Sequence, residues 1–133
     1  MIAAVLPATA QLRLPAIMSD HMVIQRNEKI RFWGWADKGA RVTVALAGNT
    51  ASAKAARDGR WSVQLPALPA GGPYTVTVSS KKETITLDDV LVGEVWICSG
   101  QSNMEFMLRS INNADEEIRS ATNGNIRSFD VQK

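Results

Sequence analysis

Val90-Leu91-Val92-Gly93-Glu94-Val95-Trp96-Ile97-Cys98-Ser99 is a nearly continuous apolar run, interrupted only by Gly93-Glu94. A run without alternation suits a strand buried on both faces, as in parallel sheets covered by helices. Asp88-Asp89, just ahead of it, marks a boundary. Downstream, Asn113 to Ser120 carries Ala, Glu, Ile and Arg in a composition that forms a short helix, with Asn112 or Asn113 as the N-cap. Asn123-Gly124-Asn125 ends that helix, and Ile126-Arg127-Ser128-Phe129-Asp130-Val131 alternates as a second strand. Strand, helix and strand open an α/β unit. Two strands cannot bury both faces of a sheet, so residues 90–133 are expected to be the truncated start of a second domain. A half-covered strand over Val90 to Cys98 also favours association with the missing part or with another chain.

Upstream the periodicity is two, not 3.6. Ile30 to Trp35 alternates imperfectly, Arg41 to Leu46 alternates well, and Gly48-Asn49 is a turn signal before Thr50 to Ala56. Asp58-Gly59 is a second turn, followed by Trp61 to Leu65, a proline-rich connection from Pro66 to Pro73, and Tyr74 to Val78 with one apolar and one hydroxylic face. Lys81-Lys82 leads into Thr84 to Leu87. Short strands at this spacing predict a β-sandwich over residues 12–89. Residues 1–11 stand apart: Met1 to Ala10 is apolar and ends in Ala8-Thr9-Ala10, a small-x-small pattern, but no Lys or Arg precedes it. It is either a signal remnant, which would place the protein outside the cytoplasm, or a flexible terminus.

Composition removes several function classes. The chain of 133 residues carries 15 Lys and Arg against 13 Asp and Glu, scattered along its length, so nucleic-acid binding has weak support and no such partner is expected. No stretch reaches the roughly 18–20 apolar residues of a membrane helix. One cysteine, Cys98, rules out an internal disulfide, and one histidine, His21, leaves few ligands for a zinc site. No cofactor or metal is expected, and stability has to come from an apolar core.

The chemistry concentrates at Ser99-Gly100-Gln101-Ser102-Asn103-Met104. Gly100, two residues before Ser102, lets the backbone turn sharply where the expected strand ends, which would lift the Ser102 hydroxyl to the sheet edge beside backbone N–H groups able to face an oxyanion. The G-x-S-x-G elbow is absent, because position 104 is Met, and a G-x-S tripeptide alone is as compatible with a turn or N-cap serine.

The longer string Gly93 to Glu105 resembles the nucleophile block of the sialate O-acetylesterase family within the SGNH hydrolases, in which a G-Q-S-N-M segment carries the catalytic serine. Leu14-Pro15-Ala16-Ile17-Met18-Ser19-Asp20-His21-Met22-Val23-Ile24-Gln25 resembles the segment that opens the same family's N-terminal β domain. The resemblance implies an accessory β-sandwich followed by the first strand of an α/β/α hydrolase domain. It also implies Ser102 as the nucleophile of an esterase that removes acetyl groups from hydroxyls of sialic acid or a related sugar. A histidine base, its acidic partner and further oxyanion donors, a Gly and an Asn, would come from blocks that this sequence does not contain. His21 matches no catalytic position and reads as a structural residue.

The remaining candidates each have two readings. Gln101, Asn103, Met104 and Glu105 flank the nucleophile as pocket neighbours, or hydrogen-bond and shape the turn. Trp33, Trp35, Trp61 and Tyr74 form a core, or a platform on which a pyranose ring stacks. Cys98 reads as inert core, and Asp115, Glu116 and Glu117 as a solvated first helical turn. Two alternatives to sialate esterase therefore stand: a non-catalytic β module for sugar or protein contact, and an esterase for acetylated plant polysaccharide.

Overall fold

The computed structural model describes residues 11–81 and 83–131, so the expected signal remnant at Met1–Ala10 lies outside the described residues. The chain divides into two units, the first through Glu94 and the second from Val95.

The first unit is built from strands β1 (Val23–Gln25), β2 (Ile30–Trp35), β3 (Arg41–Leu46), β4 (Asn49–Lys54), β5 (Arg60–Leu65), β6 (Gly71–Ser79) and β7 (Thr84–Gly93). Five of them form a sheet in the order β1-β7-β6-β3-β4, while β2 and β5 pair antiparallel as a separate two-stranded sheet. Within the larger sheet only the β1–β7 pairing is parallel. Alternation decides which side chains are inside. On β3, Val42, Val44 and Leu46 are buried while Arg41, Thr43 and Ala45 are not, and β5 buries Trp61, Val63 and Leu65 in the same way. Together with Ile30 and Phe32 of β2 and Val76 and Val78 of β6, these residues form one hydrophobic core fed by both sheets.

The turns follow the local chemistry. Ala47 and Gly48 both take positive φ, 48° and 76°, the geometry of a tight two-residue hairpin whose twist matches its strands, and Leu46 faces Asn49 across it. Gly59, φ 81°, is required for a second reason: a Cβ there would stand 2.9 Å from the Ala36 carbonyl oxygen, which is itself beside the Gly59 backbone.

The expected boundary at Asp88-Asp89 falls inside β7. Val76 faces Leu87 across the ladder, but Tyr74 faces Val90, so β7 uses three residue steps where β6 uses two. That is a β-bulge, and Asp89 adopts φ 54° within it. The extra residue restores parity: Leu87, Val90 and Val92 all point into the core although the first two are an odd number apart. The polar pair expected to mark a boundary is therefore a kink in a continuous ten-residue strand.

The strand expected through Val90 to Ser99 is corrected accordingly. Val90 to Gly93 is the end of β7, whereas Val95 to Gly100 has no regular structure and is exposed, with Trp96 at 82% and Ile97 at 94%. Cys98 is exposed too, not core. In the second unit, α1 (Ser102–Glu105) is a single turn, a 3-10 turn covers Leu108–Ser110, and α2 (Ala114–Ser120) matches the expected helix with Asn113 at its N-cap position. Asn113 sits at φ 61° without a side-chain cap bond. Ile126 to Val131 is not a strand. The expected strand-helix-strand unit thus lacks both strands among the described residues, since a strand needs a neighbour to take up its N–H and C=O groups and residues 95–131 supply none. No described helix is long and apolar enough to cross a membrane.

Candidate functional site

The segment around Ser102 turns from extended backbone into one helical turn. Gln101, at φ −113° and ψ −158°, is the last extended residue, Ser102 is the first helical one, and the Met104 N–H closes the turn by donating to the Gln101 carbonyl at 2.7 Å. The first N–H groups of a helix have no acceptor within it, so those of Ser102 and Asn103 point out of the turn. The absence of a side chain at Gly100 makes room for Met104: a Cβ there would lie 2.9 Å from Met104 Cγ. Ser102, Asn103, Met104 and Glu105 are all exposed. The geometry gives an accessible hydroxyl next to outward N–H donors, the two elements that acyl transfer needs from a nucleophile segment.

The histidine and the acidic cluster are placed elsewhere. His21 belongs to the first unit, where its Nδ1 is 2.7 Å from Asp89 Oδ2 and its backbone N–H donates to the Asp88 carbonyl at 3.0 Å. Asp20 adds to the same corner by accepting the Asp88 N–H at 2.8 Å. These bonds tie the opening segment to the bulge of β7, the structural role expected of His21. Asp115, Glu116 and Glu117 lie in the exposed first turn of α2, favourable for carboxylates near the positive end of a helix. Among the described residues no three His, Cys, Asp or Glu side chains are grouped to hold a metal ion.

A cluster that the sequence did not reveal connects the two quoted segments. Because β1 runs parallel to the end of β7, Gln25 and Arg26 arrive beside Gly93 and Glu94. The Arg26 N–H donates to the Gly93 carbonyl at 2.8 Å, Arg26 Nε to Glu94 Oε1 at 2.6 Å, and Gln25 Nε2 to Glu94 Oε2 at 3.1 Å. Hydrogen bonds from Gln25 and then Arg26 hold the Glu94 carboxyl below its usual range. The only signal in the sequence was a charged residue interrupting an apolar run. Its partners, 68 and 69 residues away, were not legible.

The aromatic set divides. Trp61 is buried and Tyr74 lies half-buried against the core, as a core reading requires. Trp33 is 40% exposed on the outer face of β2, and the Arg13 guanidinium stands 5.2 Å over the half-buried Trp35 ring.

Comparison with known proteins bears on this arrangement. The chain is 34% identical over 131 residues to mouse sialate O-acetylesterase, covering 90% of this chain and 24% of that protein. It is 36% identical over 118 residues to the human protein of the same name, covering 80% of this chain and 22% of the other. The chain is a homologue of the sialate O-acetylesterases over most of its length. It spans about a quarter of these relatives. The crystal structure of a carbohydrate acetylesterase from Xanthomonas citri superimposes with a TM-score of 0.82 at 36% identity, over 86% of this chain and 26% of that one. No protein-family model matches. The described residues, mostly strand with few helices, fit part of such a carbohydrate esterase.

Proposed function

We propose that this chain forms part of a carbohydrate esterase that removes O-acetyl groups from sialic acid, and that it supplies the nucleophile, Ser102, of an SGNH-type site. The observation that carries this reading is the placement of Ser102: an exposed residue at the first position of a helical turn, inside a chain homologous to the sialate O-acetylesterases. The first unit, through Glu94, serves as a β-sandwich accessory domain, and the second, from Val95, opens the hydrolase domain. Gly100, Gln101, Asn103, Met104 and Glu105 shape the turn and the mouth of the pocket.

In the reaction, Ser102 Oγ attacks the acetyl carbonyl carbon while a base takes its proton. The tetrahedral oxyanion is met by the N–H groups at the start of α1, and the C–O bond to the sugar breaks as the sugar oxygen takes up the proton. Water then adds to the acetyl-serine, and the collapse releases acetate and restores the Ser102 hydroxyl. A free serine hydroxyl is too weak a nucleophile to act unaided, and His21 matches no catalytic position in the resemblance to the sialate O-acetylesterase family, so the base comes from a longer protein of which this chain is a part. Two observations support a larger whole: the relatives are about four times as long, and the second unit exposes Trp96, Ile97, Phe106, Ile126 and Val131, side chains that a hydrolase sheet would cover.

The test is acetate release from an O-acetylated sialic acid by a C-terminally extended protein, by its Ser102→Ala variant and by the 133-residue chain. The expected result is turnover by the extended protein alone. Full activity in its Ser102→Ala variant would overturn the nucleophile assignment, and Ser102-dependent turnover by the short chain would overturn the missing-base argument.

A further inference from the structure

The outer face of the β2–β5 sheet carries an arrangement that the esterase reading does not use. Strand alternation turns Arg31, Trp33 and Trp35 outward on β2 and Arg60, Ser62 and Gln64 outward on β5. The ladder sets Trp33 opposite Ser62, Trp35 opposite Arg60, and Arg31 opposite Gln64. Arg31, Trp33, Trp35, Arg60 and Ser62 line a shallow depression, with Gly34 and Trp61 as its floor. Outward residues two apart on a strand are about 7 Å from each other, close to the width of one pyranose ring. An aromatic face exposed on a pleated sheet, with arginines at neighbouring outward positions, suits a sugar ring that stacks through its C–H face and carries an anionic substituent.

On the inner face of the same sheet Gly34 lets the strand lie close over the core, since a Cβ would collide with the Arg13 carbonyl and lie 3.0 Å from Trp61 Cζ2. The indole thereby sits directly under the strand. The charges are ordered: Arg31 Nε donates to Ser62 Oγ at 3.1 Å, which aligns its guanidinium along the face, and Arg13 adds a third positive charge over Trp35. Asp58, 3.6 Å from Arg60 Nε, only partly offsets this in an exposed pair.

We infer that the Trp33–Trp35 face of the small sheet is a binding site for a carboxylate-bearing pyranose, with Trp33 as the stacking platform and Arg31 and Arg60 as the carboxylate contacts. This site lies in the first unit and is independent of Ser102. It would hold an acidic sugar on the accessory domain.

The experiment titrates the 133-residue chain with 3′-sialyllactose and, in parallel, with lactose, following the Trp33 and Trp35 indole N–H resonances. Sialyllactose is expected to shift both saturably, and lactose to bind at least about tenfold more weakly, the loss of a charge-assisted contact. Arg31→Gln and Arg60→Gln should each weaken binding about tenfold. Trp33→Ala should abolish it and Trp33→Tyr retain it, which separates a lost stacking face from a lost fold. Added salt should weaken binding to the parent chain. Equal affinity for lactose, arginine variants that bind like the parent, or no saturation would each overturn the inference. So would the same shifts appearing with protein concentration alone, since a second copy would then cover the face. Ser102→Ala should bind the sugar unchanged, so failure here leaves the esterase reading intact, and the reverse also holds.

Discussion

Trp61→Phe is expected to cost almost nothing, although Trp61 is 3% exposed in the centre of the core. Two terms oppose each other. The smaller ring leaves a void beneath Gly34, a loss of about 1–2 kcal/mol. The substitution also removes an indole N–H that is buried without a partner among the described residues, and relieving such a group returns about 1–3 kcal/mol. The net change should lie within about 1 kcal/mol of zero, a shift of less than about 8 °C in Tm for a unit of this size. Phe32→Ala provides the scale, because Phe32 is 1% exposed and has no polar atom to relieve, so it should lose the full 3–5 kcal/mol or so of a deleted core aromatic. Urea unfolding followed by far-UV circular dichroism measures both without depending on the tryptophan being changed. A loss above about 2.5 kcal/mol for Trp61→Phe at an unchanged m-value would refute the reasoning, because the indole N–H must then be satisfied in the folded chain.

Other expectations follow from particular contacts. Gly59→Ala should lose about 1–3 kcal/mol more than Gly48→Ala; both positions have positive φ, but only at Gly59 does the added Cβ meet a carbonyl oxygen, at 2.9 Å, and paired thermal melts would expose the difference or its absence. Glu94 has a depressed folded pKa, so its bonds to Gln25 and Arg26 contribute stability that is present above its ordinary value of 4.5 and lost as pH falls through the folded value. The Tm gap between the parent and Glu94→Gln should therefore narrow on acidification below that point, and a gap independent of pH would count against the assignment. Ser102→Ala should change the stability of this chain by no more than about 0.5 kcal/mol, since Ser102 is exposed and makes no core contact; a larger loss would mean its hydroxyl holds the turn together.

Much of the first unit was legible because alternation is a local signal. Val42, Val44 and Leu46, or Trp61, Val63 and Leu65, announce an inward face within six residues, and Asp58-Gly59 announces its turn. Asn113 to Ser120 could be read as a helix for the same reason. The Ser102 segment was identified by a resemblance spread over thirteen residues, which no backbone pattern would have singled out.

What the sequence could not express is pairing. The apolar run from Val90 was divided at Gly93 because β1 supplies parallel partners to Leu91, Val92 and Gly93 and to nothing beyond, while Asp88-Asp89 became a bulge because β6 holds the ladder on both sides of it. The Glu94 cluster, the Asp89 contact of His21 and the Trp33 face all depend on residues tens of positions apart meeting across strands. The residues by themselves determined which side chains alternate, which dipeptides turn and which serine stands in a nucleophile-like string. The tertiary structure decided which strands neighbour one another, and with that which charges meet and which aromatic faces solvent, because hydrogen-bond ladders are satisfied by partners in space whose order the chain does not spell out.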